Sequence, residues 1–386
     1  MIQKRVAILG STGSVGSQIC DVCERCGAKI VLITANANTG SLERQIRKYG
    51  PEYCAVSDEK SAKELAVSVS DTGTKIISGY DAMCDIVGQI ECDIVYNAIS
   101  GKNGLLPTLA ALSSGKTLAL ANKESMVLAG DIVNACAKEH GAEILPVDSE
   151  HCAIFQCLRC GKHDEVKRIL LTASGGPFFG YSYERLEKVT LREALLHPTW
   201  SMGKKITVDS ATLANKGLEI IEAMHLFGVP YDRIKVLIHR QSIVHSMVQF
   251  VDNSVIAQLS VPDMRHPGQY ALTYPDRCDG VIPELDLTKH TLTFAEPDTD
   301  AFRMLGLAQY CAQAGGLLPC AYNAANEAAV DLFLKERIGF NDVYRITENV
   351  ISKTQNEDAP SLQSILECDR ESRGLAYSYK EIISSK

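Results

Sequence analysis

Six short apolar runs, at 6–9, 30–34, 54–56, 94–99, 117–121 and 144–147, fall in the first 150 residues, and stretches of helical character at 41–49, 105–113 and 130–140 separate them. Runs that are apolar at consecutive positions suit strands covered on both faces. Strands that take turns with helices read as a doubly wound parallel sheet. The expectation is therefore an α/β fold that opens with a Rossmann-like domain.

Beyond Asp148 the pattern changes. Glycine, serine and proline punctuate Thr172-Ala173-Ser174-Gly175-Gly176-Pro177 and His197-Pro198-Thr199-Trp200-Ser201-Met202-Gly203. A helix is expected over 211–227 and strands over 235–239, 242–251 and 255–259, the last two joined through Asp252-Asn253 as an antiparallel hairpin. Pro275, Pro283 and Pro297 break any regular element between 274 and 300. Helices at 301–314, 321–336, 341–354 and from 361 onward suggest a small bundle. The expected division is a nucleotide-binding domain at 1–148, a central α+β catalytic domain at 149–275, a linker at 276–300 and a C-terminal helical bundle at 301–386.

Hydrophobic residues make up 46% and charged residues 22% of the chain, which suits a soluble globular protein. A formal charge of −8 with no block of lysine and arginine argues against nucleic acid as a partner. No apolar stretch reaches the roughly 18 residues of a membrane span. Met1 runs directly into the first expected strand, so no secretory leader is expected, and the 14 cysteines read as free thiols in a reducing cytoplasm. Cys23/Cys26 and Cys157/Cys160 have C-x-x-C spacing, but three-residue spacing also falls on one helix face, and ordinary thiols are the reading preferred to a zinc or redox site.

Gly10-Ser-Thr-Gly13-Ser-Val-Gly16 follows the first strand directly and opens the next helix. Glycines there let the backbone approach a pyrophosphate, whose charge meets the free N–H groups of the helix start. At the end of the second strand an NAD site places an acid for the ribose 2′-OH. Here the residues are Thr34-Ala35-Asn36-Ala37-Asn38, with no carboxylate to repel a 2′-phosphate, so NADPH is favoured. Arg44 and Arg47 lie further on and read equally well as solvated helix residues.

Ligands of open α/β sheets sit beyond the carboxyl ends of the strands. Asn122-Lys123-Glu124 follows one expected strand and Asp148-Ser149-Glu150 the next. Two carboxylates one residue apart repel each other and call for a compensating charge; hard oxygen donors suit Mg²⁺ or Mn²⁺ rather than zinc. A pair of exposed loop acids would present the same letters. On the helix over 211–227, Leu213, Gly217, Ile220, Ile221 and Met224 follow helical spacing toward a core, with Asn215, Lys216 and Glu219 largely on the other side. That face reads either as a site that supplies a third carboxylate, an amide and a cation, or as the wet side of an amphipathic helix.

Taken together, GSTGSVG, ANKES, PVDSEHCAIFQ, TASGGPF, HPTWSMG, KKITVDSATLANKGLEIIEA and NAANEAAV resemble the 1-deoxy-D-xylulose 5-phosphate reductoisomerase family, in family order and over nearly the whole chain. The resemblance implies a homodimer of three-part subunits that uses NADPH and Mg²⁺, Mn²⁺ or Co²⁺. It implies rearrangement of a small sugar phosphate, 1-deoxy-D-xylulose 5-phosphate, to a branched aldehyde and its reduction to 2-C-methyl-D-erythritol 4-phosphate, an early step of non-mevalonate isoprenoid synthesis.

By position, the resemblance gives Asp148, Glu150 and Glu219 to the metal. Lys123 would bind substrate oxygens and assist proton movement; Ser149 would bond the substrate near the metal. Ser174, Ser210, Asn215 and Lys216 would hold the phosphate. His197, with Trp200 and Met202, would belong to a mobile loop that closes over the substrate. Lys123, Glu150 and His197 are thus the expected catalytic set. Thr12, Gly13, Ser14, Val15, Asn38, Asn122, Glu124 and Gly203 would contact NADPH. Many family members carry Gly-Lys/Arg/Ser-Asn after the second strand, whereas this chain has Asn36-Ala37-Asn38, so no base stands ready for the 2′-phosphate.

Two other readings compete. Another NADPH-dependent oxidoreductase of a small phosphorylated substrate, such as a semialdehyde dehydrogenase, would need a nucleophilic cysteine at a helix start and would leave the acids unexplained. A non-catalytic nucleotide-binding regulator would be expected to have lost its charged site residues, because unpaired buried charges cost several kcal/mol; here the acids and Lys123 remain.

Overall fold

The computed structural model of the chain describes residues 2–200 and 202–383; Ser201 of the expected loop motif and the last three residues of the expected 301–386 domain lie outside the described residues. Packing divides the chain into two compact units: Met1–Ser125, Asp131–Cys152 and Asp263–Glu284 form one, and Met126–Gly130, Ala153–Pro262 and Leu285–Lys386 the other.

The first unit alternates strands and helices: β1 Arg5–Leu9, α1 Ser14–Cys26, β2 Lys29–Ala35, α2 Thr39–Tyr49, β3 Tyr53–Val56, α3 Glu59–Ser68, β4 Lys75–Ser78, α4 Tyr80–Gln89, β5 Ile94–Asn97, α5 Leu105–Ser113, β6 Thr117–Leu120, α6 Lys123–His140, β7 Ile144–Pro146 and the start of α7 Ser149–Leu158. The seven strands lie in the order β4-β3-β2-β1-β5-β6-β7, all parallel. Val6–Leu9 on the central strand are fully buried, as a run without polar alternation requires. The order reverses at β1, so the loops after β1 and β5 part at the sheet's switch point, where a ligand crevice belongs.

Three features of this unit are absent from the sequence reading. β4 is an edge strand, exposed at both ends and only half-covered between, and its residues lack the apolar continuity that marks the inner strands. Helix α6 begins at Lys123 rather than at 130, because two helical pieces meet at a kink where Ala129 takes φ −145° and ψ 35°. Helix α12, Arg265–Thr273, joins this unit from far along the chain. It packs on α1 so closely that a Cβ at Gly268 would stand 2.3 Å from Ile19 Cδ1. The fully buried Tyr96 donates its hydroxyl to the Gly268 carbonyl at 2.8 Å; an unbonded hydroxyl there would cost about 1–3 kcal/mol.

In the second unit, β8 Val166–Ala173, β9 Ile234–Ile238, β10 Val244–Phe250 and β11 Val255–Leu259 form a sheet in the order β11-β10-β8-β9. The 10/11 and 10/8 pairs are antiparallel, with Asn253 in the expected hairpin turn at φ 69°, whereas β8 and β9 run parallel. Parallel strands need a crossover. Here it includes the short helices α8 Tyr183–Leu186 and α9 Leu191–Ala194, then α10 Lys204–Thr212 and α11 Ala214–Phe227. The single helix expected over 211–227 is therefore two, broken where Leu213 turns left-handed at φ 62°. Leu213, Ile220 and Ile221 are buried as expected, but Met224 is only half-buried.

The tail helices α13 Arg303–Ala314, α14 Leu318–Leu334, α15 Asp342–Lys353 and α16 Leu362–Ile383 belong to this same unit. Helices α11 and α13 meet at Gly217, where a Cβ would lie 2.4 Å from Ala308 Cβ. Helix α10 is tied to α14 by a hydrogen bond of 2.8 Å from Asn326 Nδ2 to Asp209 Oδ1, both residues being almost wholly buried. Lys205 Nζ lies 2.9 Å from the other oxygen of Asp209.

Candidate active site

The glycine turn after β1 is a backbone cradle. Gly10 has φ 74°, and a Cβ there would stand 2.6 Å from the Ala98 carbonyl oxygen; at Gly16 it would stand 2.2 Å from the Gly10 oxygen. Only hydrogen fits at either place. Gly13 caps α1 with no side-chain acceptor, and the helix's first turn holds no acid, so its leading N–H groups are open to an anion. Thr12, Gly13, Ser14 and Val15 all lie half-buried or exposed along this edge. At the end of β2, Asn38 caps α2 by accepting from the Ser41 N–H at 3.2 Å, and Asn36 and Ala37 are exposed. Arg47 is engaged by Asp71 and Glu43, and Arg44 donates to Ser41 Oγ.

Beyond β6, Asn122 is an organiser. Its Oδ1 caps α6 through the Ser125 N–H, while Nδ2 faces the carbonyls of Ile99 and Gly101 and the Glu124 carboxylate at 2.7–3.0 Å. It thereby pins the loop after β5 to the start of α6. Lys123 and Glu124 are 6% and 7% exposed. The Lys123 ammonium lies 2.7 Å from Asp148 Oδ2. Asp148 divides its two oxygens: Oδ1 caps α7 by accepting from the N–H groups of Glu150 and His151 and contacts His151 Nδ1 at 3.1 Å, which leaves Oδ2 to face the lysine. Ser149 Oγ donates to Glu150 Oε2 at 2.5 Å. Lys123 thus lies against Asp148, one of the paired acids.

In the second unit the reading of a wet helix face does not hold. Lys216 and Glu219 are 4% and 1% exposed, and they pair with each other on α11. Asn215 Nδ2 donates to the other oxygen of Glu219. Ser174 and Ser210 come together around His197. The imidazole Nε2 lies 3.0 Å from Ser174 Oγ and 3.1 Å from Ser210 Oγ. Nδ1 accepts the N–H groups of Thr199 and Trp200 at 3.2 and 2.9 Å, which places the proton of the neutral ring on Nε2. Burial, followed by the nearby Arg240 charge, holds the His197 pKa down to about 4.

The loop is docked within this unit. Trp200 is half-buried with its ring centroid 6.1 Å from that of His245, and Thr199 Oγ1 lies 3.2 Å from Ser242 Oγ. Gly203 is the exposed N-cap of α10.

Arg240 is a residue the sequence reading missed. Its Nη1 donates to the carbonyls of Ser174 and Gly176, beside the His197 cluster. It lies two residues past the end of β9, and a search of strand ends for cations would have found it. The 14 cysteines carry no disulfide, and neither C-x-x-C pair belongs to a metal-competent group among the described residues. No helix among the described residues is long and apolar enough to cross a membrane.

A parallel sheet with an open, glycine-lined helix start at its switch point defines an α/β protein of the nucleotide-binding class. The profile of 1-deoxy-D-xylulose 5-phosphate reductoisomerase matches residues 6–130; those of the family's C-terminal domains match 144–227 and 259–375. The chain is 47% identical to the 1-deoxy-D-xylulose 5-phosphate reductoisomerase of Ruminiclostridium cellulolyticum (95% of this chain, 96% of the relative). It is 49% identical to that of Acetivibrio thermocellus, with the same coverage. Among solved structures, the reductoisomerase of Zymomonas mobilis in complex with NADPH is 39% identical at a TM-score of 0.92, over 98% of this chain and 99% of that one. A DOX-P reductoisomerase in complex with NADPH, fosmidomycin and magnesium is 37% identical at a TM-score of 0.94, over 99% of each chain. This chain belongs to the 1-deoxy-D-xylulose 5-phosphate reductoisomerase family.

Proposed function

We infer that the chain converts 1-deoxy-D-xylulose 5-phosphate and NADPH to 2-C-methyl-D-erythritol 4-phosphate and NADP⁺, with one divalent cation, as an early step of isoprenoid precursor synthesis. The observation that carries this reading is the buried pairing of Lys123 with Asp148 just past strands β6 and β7, in a chain that matches the family along its whole length. Relatives of 36–39% identity are described in complex with NADPH, with magnesium and with fosmidomycin.

The residues fit both groups. For NADPH, Gly10 and Gly16 let the turn close against the Ala98 and Gly10 carbonyls, which sets the uncapped start of α1, with Thr12, Gly13, Ser14 and Val15 along it, for a pyrophosphate. Asn38 and Gly203 are exposed helix caps available to the cofactor, and Asn122 and Glu124 act through the loop they hold. For the metal, Asp148, Glu150 and Glu219 offer hard carboxylate oxygens, the donor set of Mg²⁺, Mn²⁺ or Co²⁺. When bound, the cofactor supplies hydride and the cation supplies charge for the substrate's carbonyl and hydroxyl oxygens.

The chain's own residues do the remaining work. Lys123, held by Asp148, keeps a proton at Nζ for a substrate oxygen. Ser149 orients the substrate beside Glu150. Ser174, Ser210, Asn215 and Lys216 receive the phosphate, and the Nε2–H of His197 joins them. The loop that carries His197, Trp200 and Met202 excludes water. The free thiols suit a reducing cytoplasm, and a homodimer is the proposed assembly. NADPH oxidation followed by absorbance, with 1-deoxy-D-xylulose 5-phosphate and Mg²⁺, tests the assignment; substrate-independent or absent turnover would overturn it.

A further inference from the structure

Strands β8 and β9 run parallel, and their register pairs Ala173 with Ile238. The chain therefore leaves both strands side by side: Ser174-Gly175-Gly176 from one, His239-Arg240 from the other. The first of these exits is a tight turn in which Gly175 and Gly176 take φ 75° and 62° in succession. It has no room to relax. A Cβ at Gly175 would lie 2.9 Å from Ile238 Cγ2, and one at Gly176 would lie 2.8 Å from the Ser210 carbonyl oxygen.

Arg240 closes this turn. Nη1 donates to the Ser174 carbonyl at 2.7 Å and to the Gly176 carbonyl at 2.5 Å, so one nitrogen spans both ends of the glycine pair. The guanidinium carbon lies 5.3 Å from the centroid of the Phe179 ring. With the turn held, Ser174 Oγ accepts the Gly176 N–H at 3.2 Å and meets His197 Nε2 at 3.0 Å.

The charge balance points the same way. Lys216 shares its charge with Glu219. His197 is held neutral by burial and by Arg240 itself. Among the described residues, Arg240 forms no ion pair with any carboxylate, although it is partly buried. A half-buried cation with no counterion beside two serine hydroxyls and an imidazole N–H is suited to a dianion that arrives from solution.

We propose that Arg240 is the positioning residue for the substrate's phosphate end: its guanidinium fixes the 174–176 turn in its anion-receiving shape and supplies the uncompensated positive charge that a phosphate dianion requires. This rests on the reading that Ser174 and Ser210 receive the phosphate. Arginine suits both tasks, because Nη1 alone bridges the two carbonyls and leaves the other guanidinium N–H groups for an anion, whereas the single ammonium of a lysine would have to serve the carbonyls and the anion together.

The test compares Arg240→Gln, Arg240→Lys and Ser174→Ala with the natural enzyme. It measures KM and kcat for 1-deoxy-D-xylulose 5-phosphate at saturating NADPH and Mg²⁺, and inhibition by inorganic phosphate. Arg240→Gln is expected to raise KM and the phosphate inhibition constant about 10- to 100-fold, the range of one charged hydrogen-bonding partner, with kcat changed much less. Arg240→Lys should recover part of the phosphate affinity. A rise in Ser174→Ala with none in Arg240→Gln would overturn the proposal and leave the phosphate reading standing. No rise in either would overturn the phosphate reading itself. Loss of kcat and of NADPH affinity together in Arg240→Gln, with phosphate inhibition intact, would make the arginine a structural clamp only. Should Arg240→Gln fail to fold, phosphate inhibition of Arg240→Lys decides: a constant equal to that of the natural enzyme overturns the two-carbonyl bridge.

Discussion

Lys216 and Glu219 pair one helical turn apart on α11, at 4% and 1% exposure, in a position whose letters alone suit a solvated helix face. Two charges so deeply buried call for compensation, which each helps to supply to the other, and breaking such a buried pair costs up to about 3–5 kcal/mol. Glu219 also accepts from Asn215, so one carboxylate orders two of the proposed phosphate-binding residues.

Glu219→Gln therefore has two expected effects. Turnover should fall on the order of 10²-fold or more, partly recovered by raising Mn²⁺, because a carboxylate proposed for the metal is lost. Thermal stability without metal should fall as well, because the buried contact of Lys216 with a charged carboxylate is lost. Steady-state rates over a Mn²⁺ titration and melting curves in chelator check the two separately. Unchanged activity in the natural enzyme after exhaustive chelation would show that the carboxylates have another purpose.

The exposed Asn36-Ala37-Asn38 segment past β2 contains neither acid nor base, and Arg47 is engaged by Asp71 and Glu43. NADPH should be used better than NADH, with less discrimination than in relatives that carry a base at position 37. Ala37→Asp should move the preference toward NADH, through repulsion of the 2′-phosphate and a new acceptor for the ribose diol. The ratio of kcat/KM for the two cofactors reads this directly; equal or better turnover with NADH in the natural enzyme would refute it.

His197 should remain neutral far below the usual histidine range. Its pKa is held down to about 4, first by burial and then by Arg240. A group depressed in the folded state binds its proton more readily when unfolded, so its contribution to stability is present above about 6.5 and is lost as pH falls toward 4. Protonation at Nδ1 would also break the bonds from the Thr199 and Trp200 N–H groups. Nitrogen NMR of the ligand-free enzyme should show Nε2–H imidazole with no transition from about pH 8 down to about 5.5, the window in which an unperturbed histidine titrates. A midpoint near 6.5 would contradict the buried cluster.

Trp200 is the chain's single tryptophan, so its emission reports on the loop alone. It is half-buried beside His245 rather than sealed in the core. Titration with substrate or with a phosphonate hydroxamate, in the presence of metal, should change its intensity or wavelength after correction for absorbance and NADPH quenching. His197→Ala should weaken ligand affinity and shrink the change. Blue-shifted emission that saturating ligand leaves unaltered would make Trp200 a fixed anchor and rule out a lid.

What the sequence disclosed follows the physics of each element. Apolar continuity revealed the inner strands, and Gly10-x-x-Gly13-x-x-Gly16 revealed the cradle, because both effects are local. The half-covered edge strand β4 escaped notice because only one side of it has a neighbour. The break at Leu213 was hidden because leucine is an ordinary helix residue, and only tertiary packing accounts for φ 62° there. Lys123 and Asp148 were legible as candidates, but their pairing was not, since they lie 25 positions apart. The place of Arg240 just past a strand was legible, but its partners Ser174 and Gly176 were not, since they are 66 and 64 residues away.

Asp209 sits immediately before Ser210, and its grip on Asn326 carries the tail's influence to the proposed phosphate end. Asn326 belongs to α14, whose neighbour Glu327 is in turn held by Arg373 of α16 at 2.6 Å. The C-terminal helices are thus a foundation on which Ser210 is levelled, not ballast. Drift in their packing, over evolutionary time or under mutational scanning, would surface as altered selectivity for the substrate's anionic terminus, at sites that touch no ligand at all.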